Sequence, residues 1–139
     1  MNMEGVNARS ITRDMFDRQI HFFACDVSFI SLTKVLPSLI SVIDEGDCCV
    51  CLIKPQFEAG PGFVGKKGVV RDKKVHKRIF DDMISFVNSL GFCILGLTYS
   101  PIKGPQGNIE YLIYMKKDAL CEAQRINTSS LVDEAFKLL

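Results

Sequence analysis

The chain has 139 residues, of which 47% are hydrophobic and 24% are charged, and its formal net charge is +1. This length suits one domain with a hydrophobic core, and the small net charge excludes a whole-molecule field that would attract nucleic acid or membranes. No apolar run approaches the roughly 20 residues that span a bilayer. The N-terminal segment MNMEGVNARS lacks the basic and then apolar pattern of a signal peptide. We therefore expect a cytoplasmic protein without a membrane partner, in which any basic binding surface is local.

The first part of the chain predicts two buried strands with a helix between them. The runs at 21–30 and 48–54 are almost continuously apolar, which is typical of strands covered on both faces in a parallel sheet. Between them, apolar residues recur at helical spacing over 32–43, and Ser31 is a candidate N-cap. Two further elements are expected upstream, a strand or extended segment and a short helix, at 3–8 and 12–19.

The second part of the chain predicts a long helix and then a β-hairpin. Asp72 is a candidate N-cap for an amphipathic helix that ends at Gly91, where a left-handed residue commonly follows the last turn. Two apolar runs, at 92–100 and 109–117, flank a loop rich in Pro and Gly, which is typical of an antiparallel hairpin. A last helix is expected to be capped near 129–130. The order of elements predicts an α/β fold with a mostly parallel sheet, an antiparallel C-terminal hairpin and helices on both faces.

Three of the six cysteines crowd the predicted strand at 48–54. Because side chains alternate faces along a strand, Cys49 and Cys51 share one face and Cys48 lies on the other. This spacing is not that of a metal site, and we interpret the cysteines as small buried hydrophobic residues in a reducing compartment. A redox or metal role is the alternative. The two histidines lack a second ligand at helical or hairpin spacing, so the sequence assigns no metal site.

Three charged residues interrupt or bound the predicted strands. Asp26 lies within the first apolar run, Lys54 ends the second, and Glu110 lies at the start of the last. Parallel strands end at one edge of a sheet, where ligands bind, and a reversed strand begins at that same edge. The topology therefore predicts that the three side chains meet in one crevice. A charge is unfavourable within an apolar strand, so the cluster indicates a functional site, although each residue alone could be a boundary charge that reaches solvent.

The glycine-rich segment at 60–68 fits the pattern G-x-x-x-x-G-K of a nucleotide loop. A triphosphate loop needs Ser or Thr after that Lys and a helix that starts there. Here a second Lys follows, and the helix starts only after Asp72, so we exclude this interpretation. A basic cluster on and after the loop instead suits an RNA backbone, with a solvated helix start as the alternative. The basic cluster consists of Lys66, Lys67, Arg71, Lys73 and Lys74.

Three blocks of the sequence carry a resemblance to a known family. They read DVSFISLTKVLP, LIKPQFEAGPGFVGKKGVVRD and GLTYSPIKGPQGNIEYLIYMKK. From about Asn7 to Lys117, the chain resembles the TlyA or hemolysin A family of FtsJ-like ribosomal RNA methyltransferases. The resemblance implies a Rossmann-like domain that moves a methyl group from S-adenosylmethionine to a ribose 2′-hydroxyl of ribosomal RNA.

The resemblance also implies roles for the charged residues at the sheet edge. FtsJ-like enzymes use a Lys-Asp-Lys-Glu set, whose Asp, second Lys and Glu match Asp26, Lys54 and Glu110. Lys54 is the expected proton acceptor, provided that burial or a neighbouring cation keeps its amine neutral. Asp26 and Glu110 are expected to orient the reacting groups. Asp26 is also the expected contact to the methyl donor.

The upstream part of the family pattern has no counterpart in this sequence. The S4-like domain, the glycine-rich donor loop and the first lysine of the set are not found in residues 1–139. We expect a single, incomplete methyltransferase domain over this range, with little or no methyl transfer by the chain alone. It could be a truncated gene product, a fragment or one half of a split enzyme. An exposed sheet edge is expected, which could pair with a second copy or with an upstream half.

Two other functions stay open. The chain could be an inactive remnant that binds RNA through its basic cluster, in which case binding should weaken steeply with salt. Membrane lysis is suggested only by the hemolysin label of the family. Its best candidate element is the amphipathic segment 73–90, whose pattern a surface helix packed on a core already explains.

Overall fold

The computed structural model describes all 139 residues and contains four strands and four helices. The strands are β1 (Phe22–Cys25), β2 (Cys48–Ile53), β3 (Phe92–Tyr99) and β4 (Tyr111–Lys117). The helices are α1 (Leu32–Ile40), α2 (Pro55–Glu58), α3 (Lys73–Leu90) and α4 (Thr128–Leu138). In place of the expected strand at 3–8 and helix at 12–19, the structure has two short 3-10 turns, Ala8–Ser10 and Arg13–Met15.

The strands form one sheet in the order β1-β2-β4-β3. β1 pairs with β2 in parallel, and β4 is antiparallel to both β2 and β3, so three strands share one direction and β4 is reversed. This confirms the predicted α/β fold with an antiparallel C-terminal hairpin. Because β4 rather than β3 pairs with β2, the start of β4 lies beside the end of β2.

The hydrophobic core lies on one face of the sheet. Alternate side chains of β2 and β4 point into it, and α1, α3 and α4 all contribute side chains to the same core. Fully burying a large apolar side chain stabilises a protein by about 1.5–3 kcal/mol, so this face is the main source of stability. The largest side chains at its centre include Leu32, Leu36, Ile53, Phe80, Phe92, Tyr111 and Met115.

The opposite face of the sheet is only partly covered, which corrects the expectation of helices on both faces. On this face, Phe22 is 53% exposed and Tyr114 is 42% exposed, and Val50 and Leu52 are half-buried. The reason is topological. The connections from β1 to β2 and from β2 to β3 both move the same way across the sheet, and right-handed crossovers that move the same way place their helices on the same face.

Most sequence signals at the helix ends are confirmed. Ser31 and Asp72 cap α1 and α3, each accepting a hydrogen bond from a backbone N–H two residues further on. Gly91 ends α3 in the left-handed conformation, with a φ of 101°, which glycine adopts without steric cost. The cap of α4 differs, because Asn127 performs this role instead of a serine at 129–130.

The cysteines divide into two groups. Those of β1 and β2 that face the core are buried thiols, as interpreted from the sequence. Cys93 and Cys121 form a disulfide bond, which the sequence analysis did not predict. The bond ties β3 to the segment before α4, where Gln124 Oε1 accepts a hydrogen bond from Ile94 N at 2.8 Å. The β3 edge of the sheet is therefore covered by this segment, whereas β1 is an edge strand, as expected.

His76 is buried and held by two hydrogen bonds. Its Nδ1 lies 2.8 Å from Tyr111 Oη, and its Nε2 lies 2.9 Å from Val70 O. Because a carbonyl oxygen can only accept, Nε2 carries the proton and the neutral Nδ1 accepts from the tyrosine hydroxyl. Burial lowers the pKa of His76 below its ordinary value.

We expect the protein to lose stability as the pH falls below about 6.5, the ordinary pKa of histidine. In that range the unfolded chain gains a proton at His76 that the folded chain does not, so the free energy of unfolding decreases. The measurement is the urea midpoint between about pH 5 and 8. The slope of the urea midpoint against pH should flatten in the His76→Gln variant. It should persist in the His21→Gln variant, since His21 is exposed. Equal slopes in all three proteins would contradict this assignment.

Candidate active site

Three charged residues lie at the edge where β1 and β2 end and β4 begins. Asp26 directly follows β1, Lys54 directly follows β2, and Glu110 directly precedes β4. The reversed direction of β4 brings its start to this edge, as the topology predicted. The structure thus places all three residues at one edge, and their catalytic roles remain a prediction.

The side chain of Lys54 is more enclosed than that of Asp26. Its side chain is 12% exposed, and its Nζ forms an ion pair with Asp26 Oδ1 and donates a hydrogen bond to Ser28 Oγ at 3.2 Å. The Asp26 side chain is 64% exposed. The sequence analysis expected burial or a neighbouring cation beside the amine. Burial is present, whereas the charged neighbour is a carboxylate, and no second Lys or Arg lines the cavity beside it.

A cavity of about 440 Å³ opens beside Lys54, and Glu110 also lines it. Glu110 Oε1 accepts a hydrogen bond from Gln56 Nε2 at 3.3 Å. Since the carboxylate requires the amide nitrogen to face it, Gln56 Oε1 points away and is buried without a hydrogen-bond partner. A buried acceptor without a partner costs about 1–3 kcal/mol. The site therefore contains an amide oxygen that no protein donor contacts. Sequence reasoning missed Gln56 because an uncharged residue next to a strand gives no signal.

Phe29 stands at the mouth of the same cavity. It is 90% exposed, and it is the one non-glycine residue with a positive φ, at 63°. Its ring centroid lies 5.0 Å from that of Phe57. A left-handed backbone costs a non-glycine residue about 1–2 kcal/mol, and an exposed aromatic ring gains little from burial, so this conformation suits a contact outside the chain. The sequence analysis missed Phe29, because it assigned the residue to a buried strand.

Glu58 fixes the loop after β1 against the short helix after β2. Its Oε1 accepts from Leu32 N at 2.8 Å, and its Oε2 accepts from Ser31 Oγ at 2.6 Å. Burial raises the pKa of Glu58 above its ordinary value, against the opposing effect of these hydrogen bonds. A carboxylate at the start of α1 is also favourable for the helix dipole. The loop that carries Asp26 is thereby held at a fixed place relative to Lys54.

Two loops close the other side of the cavity, and Asn108 joins them. Its buried side chain accepts from Val70 N at 3.0 Å and donates to Gly68 O at 2.7 Å. This connects the glycine-rich segment to the loop between β3 and β4. A Cβ at Gly104 in the second loop would lie 2.6 Å from Glu110 Oε1, so a side chain there would displace the Glu110 carboxylate. The glycine-rich segment therefore serves as a wall of the site.

The basic cluster is exposed, but its members are not equivalent. Lys73 Nζ lies 3.1 Å from Asp133 Oδ1 and 5.6 Å from the ring centroid of Phe136. These contacts tie α3 to α4, in addition to the RNA contact predicted for the cluster. The other four members form no ion pair and are exposed: Lys66, Lys67, Arg71 and Lys74.

The segment 73–90, the candidate for membrane contact, forms α3. Its apolar side packs in the core, where Val75, Ile79, Phe80, Met83 and Val87 are buried. Core packing therefore accounts for its amphipathic pattern. In this structure, no helix is both long enough and apolar enough to cross a membrane.

One known protein family matches most of the chain. The family described as FtsJ-like methyltransferase matches residues 1–117. The chain belongs to the FtsJ-like methyltransferase family. All three charged residues at the sheet edge, and the loops around the cavity, lie within the matched range. The matched range ends with β4, so α4 lies outside it.

Similar proteins carry names that refer to ribosomal RNA or to hemolysis. The chain is 48% identical over 114 residues to YqxC of Bacillus subtilis, a proposed rRNA methyltransferase, covering 81% of the chain and 41% of that protein. It is 37% identical to the 16S/23S rRNA (cytidine-2′-O)-methyltransferase TlyA of Mycobacterium tuberculosis, over 82% and 42% of the two chains. A solved structure of a proposed hemolysin from Streptococcus thermophilus superposes with a TM-score of 0.92 at 36% identity, covering 98% of the chain and 50% of that protein. The chain thus spans half or less of the length of these FtsJ-like relatives.

Proposed function

We propose that the chain acts in the transfer of a methyl group from S-adenosylmethionine to a ribose 2′-hydroxyl of ribosomal RNA, as the C-terminal portion of an FtsJ-like enzyme. The observation that carries the proposal is the enclosed Lys54 amine, held by Asp26 and Ser28 beside a cavity that Glu110 also lines. A 2′-hydroxyl is a weak acid, so its methylation needs a group that takes the proton. The name of the TlyA relative supports ribose of ribosomal RNA as the substrate.

Lys54 is the proposed proton acceptor. In the neutral amine form, its Nζ takes the hydroxyl proton while the hydroxyl oxygen bonds to the methyl carbon and the carbon–sulfur bond of the donor breaks, which leaves S-adenosylhomocysteine. Ser28 and Asp26 hold the amine in place, and Gln56 orients Glu110 toward the ribose. Holding the reacting atoms in line is itself a large part of the rate.

Asp26 is the proposed contact to the methyl donor, which is a second substrate of the reaction. Its carboxylate is more than half exposed and pairs only with Lys54, so a free oxygen can face the positive sulfonium group. The hollow on the open face of the sheet beside Asp26 measures about 120 Å³, which is smaller than the roughly 300–1,000 Å³ of ligand pockets. The chain supplies one wall of a donor site, and we expect it to bind the donor weakly by itself.

The experiment uses ribosomal RNA and S-adenosylmethionine with a labelled methyl group. The 139-residue chain is tested alone and together with a separately expressed upstream portion of an FtsJ-like relative. Labelled 2′-O-methyl nucleosides in either reaction would support the proposal. Label on a base, or no label in both reactions although calorimetry shows donor binding, would contradict it.

Phe29 is proposed to stack on a base of the bound RNA. Its exposed ring lies at the mouth of the cavity that contains Lys54, and stacking of a base on an aromatic ring contributes about 1–3 kcal/mol. A ribose that enters the cavity brings its base to the rim. The position of the ring therefore suits the nucleotide whose hydroxyl is methylated.

We expect Phe29→Asn to weaken binding of single-stranded RNA by about tenfold, within the range that loss of one stacked base predicts. Asparagine tolerates the left-handed backbone, which offsets the lost contact with Phe57, so the free energy of unfolding should change by less than about 1 kcal/mol. Fluorescence anisotropy and urea denaturation measure the two effects. The matched control is Phe63→Asn, a second exposed phenylalanine that does not line the cavity. Equal RNA affinities of the two variants would exclude the stacking role.

RNA binding without catalysis is the second candidate function. The four free members of the basic cluster favour it, because exposed cations without partners release counterions when they meet phosphate. The small hollow beside Asp26 favours it as well. The two functions differ in the labelled-methyl assay, whereas RNA binding is common to both.

The two neighbouring lysines at the start of α3 give a test of the basic cluster. We expect Lys74→Ala to weaken RNA binding and to reduce the slope of log K against log salt by about 0.7, the value for one phosphate contact with single-stranded RNA. Lys73→Ala should have a smaller effect, since Lys73 is engaged by Asp133 and Phe136. Affinities are measured between about 50 and 200 mM salt. A larger loss for Lys73→Ala would reverse the assignment.

A further inference from the structure

We propose that a second cavity binds a nucleotide of single-stranded RNA that flanks the methylated one. This inference rests on the proposed function and adds a subsite to it. The second cavity measures about 320 Å³, within the range of ligand pockets. It is lined by 69–71, by Lys103, Gly107 and Ile109, and by the end of α4.

The second cavity lies next to the candidate active site, on the other side of two shared loops. Gly68 lines the first cavity and 69–71 line the second. In the other loop, 105–106 line the first cavity, and Lys103 and Gly107 line the second. The side chain of Asn108 bonds these loops together. A strand of RNA that crosses the joined loops would therefore have neighbouring nucleotides in both cavities.

The charges of the second cavity suit a phosphate group. Arg71 and Lys103 are exposed, and neither takes part in any ion pair of the structure. The nearby acids are already engaged, because Asp72 caps α3 and Asp133 pairs with lysines of that helix. An Arg and a Lys that line one cavity, neither of them paired with a carboxylate, favour binding of an RNA phosphate.

The floor of the second cavity suits a base. Val69 and Ile109 are buried apolar side chains, and the ring of Phe136 completes the floor from α4. The ring is fixed from behind by His76, at a centroid distance of 4.9 Å in a T-shaped contact. An apolar floor beneath two cations matches a nucleotide whose base is unpaired, since the bases of a duplex are stacked inside the helix. Inorganic phosphate alone would use the cations and leave the floor without a contact.

The test measures binding of a fluorescent single-stranded RNA of about ten nucleotides to the 139-residue chain. The variant is Arg71→Ala with Lys103→Ala, and the matched control is Arg125→Ala with Lys116→Ala, which removes the same charges from the other end of the sheet. We expect the variant to bind about tenfold more weakly than the control and to lose about 1.4 from the salt slope, the value for two phosphate contacts. With a duplex RNA of equal length, the difference in affinity between the variant and the control should be much smaller.

Three outcomes would overturn the inference. These are equal affinities of the variant and the control, an equal loss for duplex and single-stranded RNA, and displacement of the RNA by millimolar-range inorganic phosphate at constant ionic strength. Failure of the proposed function is a separate result, because it shows as an absence of ribose methylation in the labelled-methyl assay. RNA binding is measured without S-adenosylmethionine, so binding by the subsite can be scored even where no methyl group is transferred.

Discussion

Replacement of Lys54 by Ala is expected to lower the rate of methyl transfer by at least about 100-fold, the lower end of what a general base contributes. The variant lacks the only amine in the cavity that can take the hydroxyl proton. Stability should change little, because the partner that remains, Asp26, is mostly exposed and can be solvated. The measurement is single-turnover incorporation of labelled methyl in the reaction that supports transfer by the wild type.

Lys54→Arg separates proton transfer from charge. Arginine keeps the positive charge beside Asp26 but cannot accept a proton in the range in which proteins work. We expect this variant to be as slow as Lys54→Ala. An arginine variant that recovers most of the rate would show that Lys54 acts by charge, and the proton acceptor would then have to be sought elsewhere.

Replacement of Asn108 by Ala is expected to reduce the free energy of unfolding by about 2–3 kcal/mol, the effect of two lost hydrogen bonds with one buried N–H left unpaired. Asn108 is buried and its side chain bonds to Val70 N and Gly68 O. RNA affinity should fall as well, because the loops that it joins line both cavities. Urea denaturation and anisotropy measure the two effects.

Asn108→Asp serves as the partial control. It keeps the acceptor for Val70 N and replaces the donor to Gly68 O with a second carboxylate oxygen, so one of the two hydrogen bonds between the loops is lost and the other is kept. Gln106→Ala, at an exposed neighbouring position, should leave stability unchanged. If Asn108→Ala were no less stable than Gln106→Ala, the two loops would be held by other contacts.

Strand direction and helix ends could be predicted from the sequence. The face of the sheet on which the helices pack could not. Continuous apolar runs gave β1 and β2, and local signals such as Asp72 and Gly91 fixed the ends of α3. The run at 21–30 overestimated β1, which ends at Cys25 where the chain turns toward Phe29. A continuous apolar run also suggested two covered faces, but the side on which a helix packs depends on the path of the chain across the sheet.

The charged part of the candidate site followed from topology, whereas its uncharged part did not. Asp26, Lys54 and Glu110 could be placed at one edge because each bounds a strand. Gln56 and Phe29 have no such signature, since a buried amide and an exposed ring are recognised only from their surroundings. Lys103 was hidden for the same reason, as it is a lone cation in a loop that comes near Arg71 only in the folded chain.

The partly covered sheet face affects how the purified protein will behave in solution. Apolar association is strengthened by sulfate and phosphate salts, which are excluded from protein surfaces. Phe22 and Tyr114 lie on that face, and the neighbouring backbone of β1 has one unpaired side. Precipitation by ammonium sulfate should therefore begin early, and dilute buffers of low sulfate content should keep the molecules dispersed.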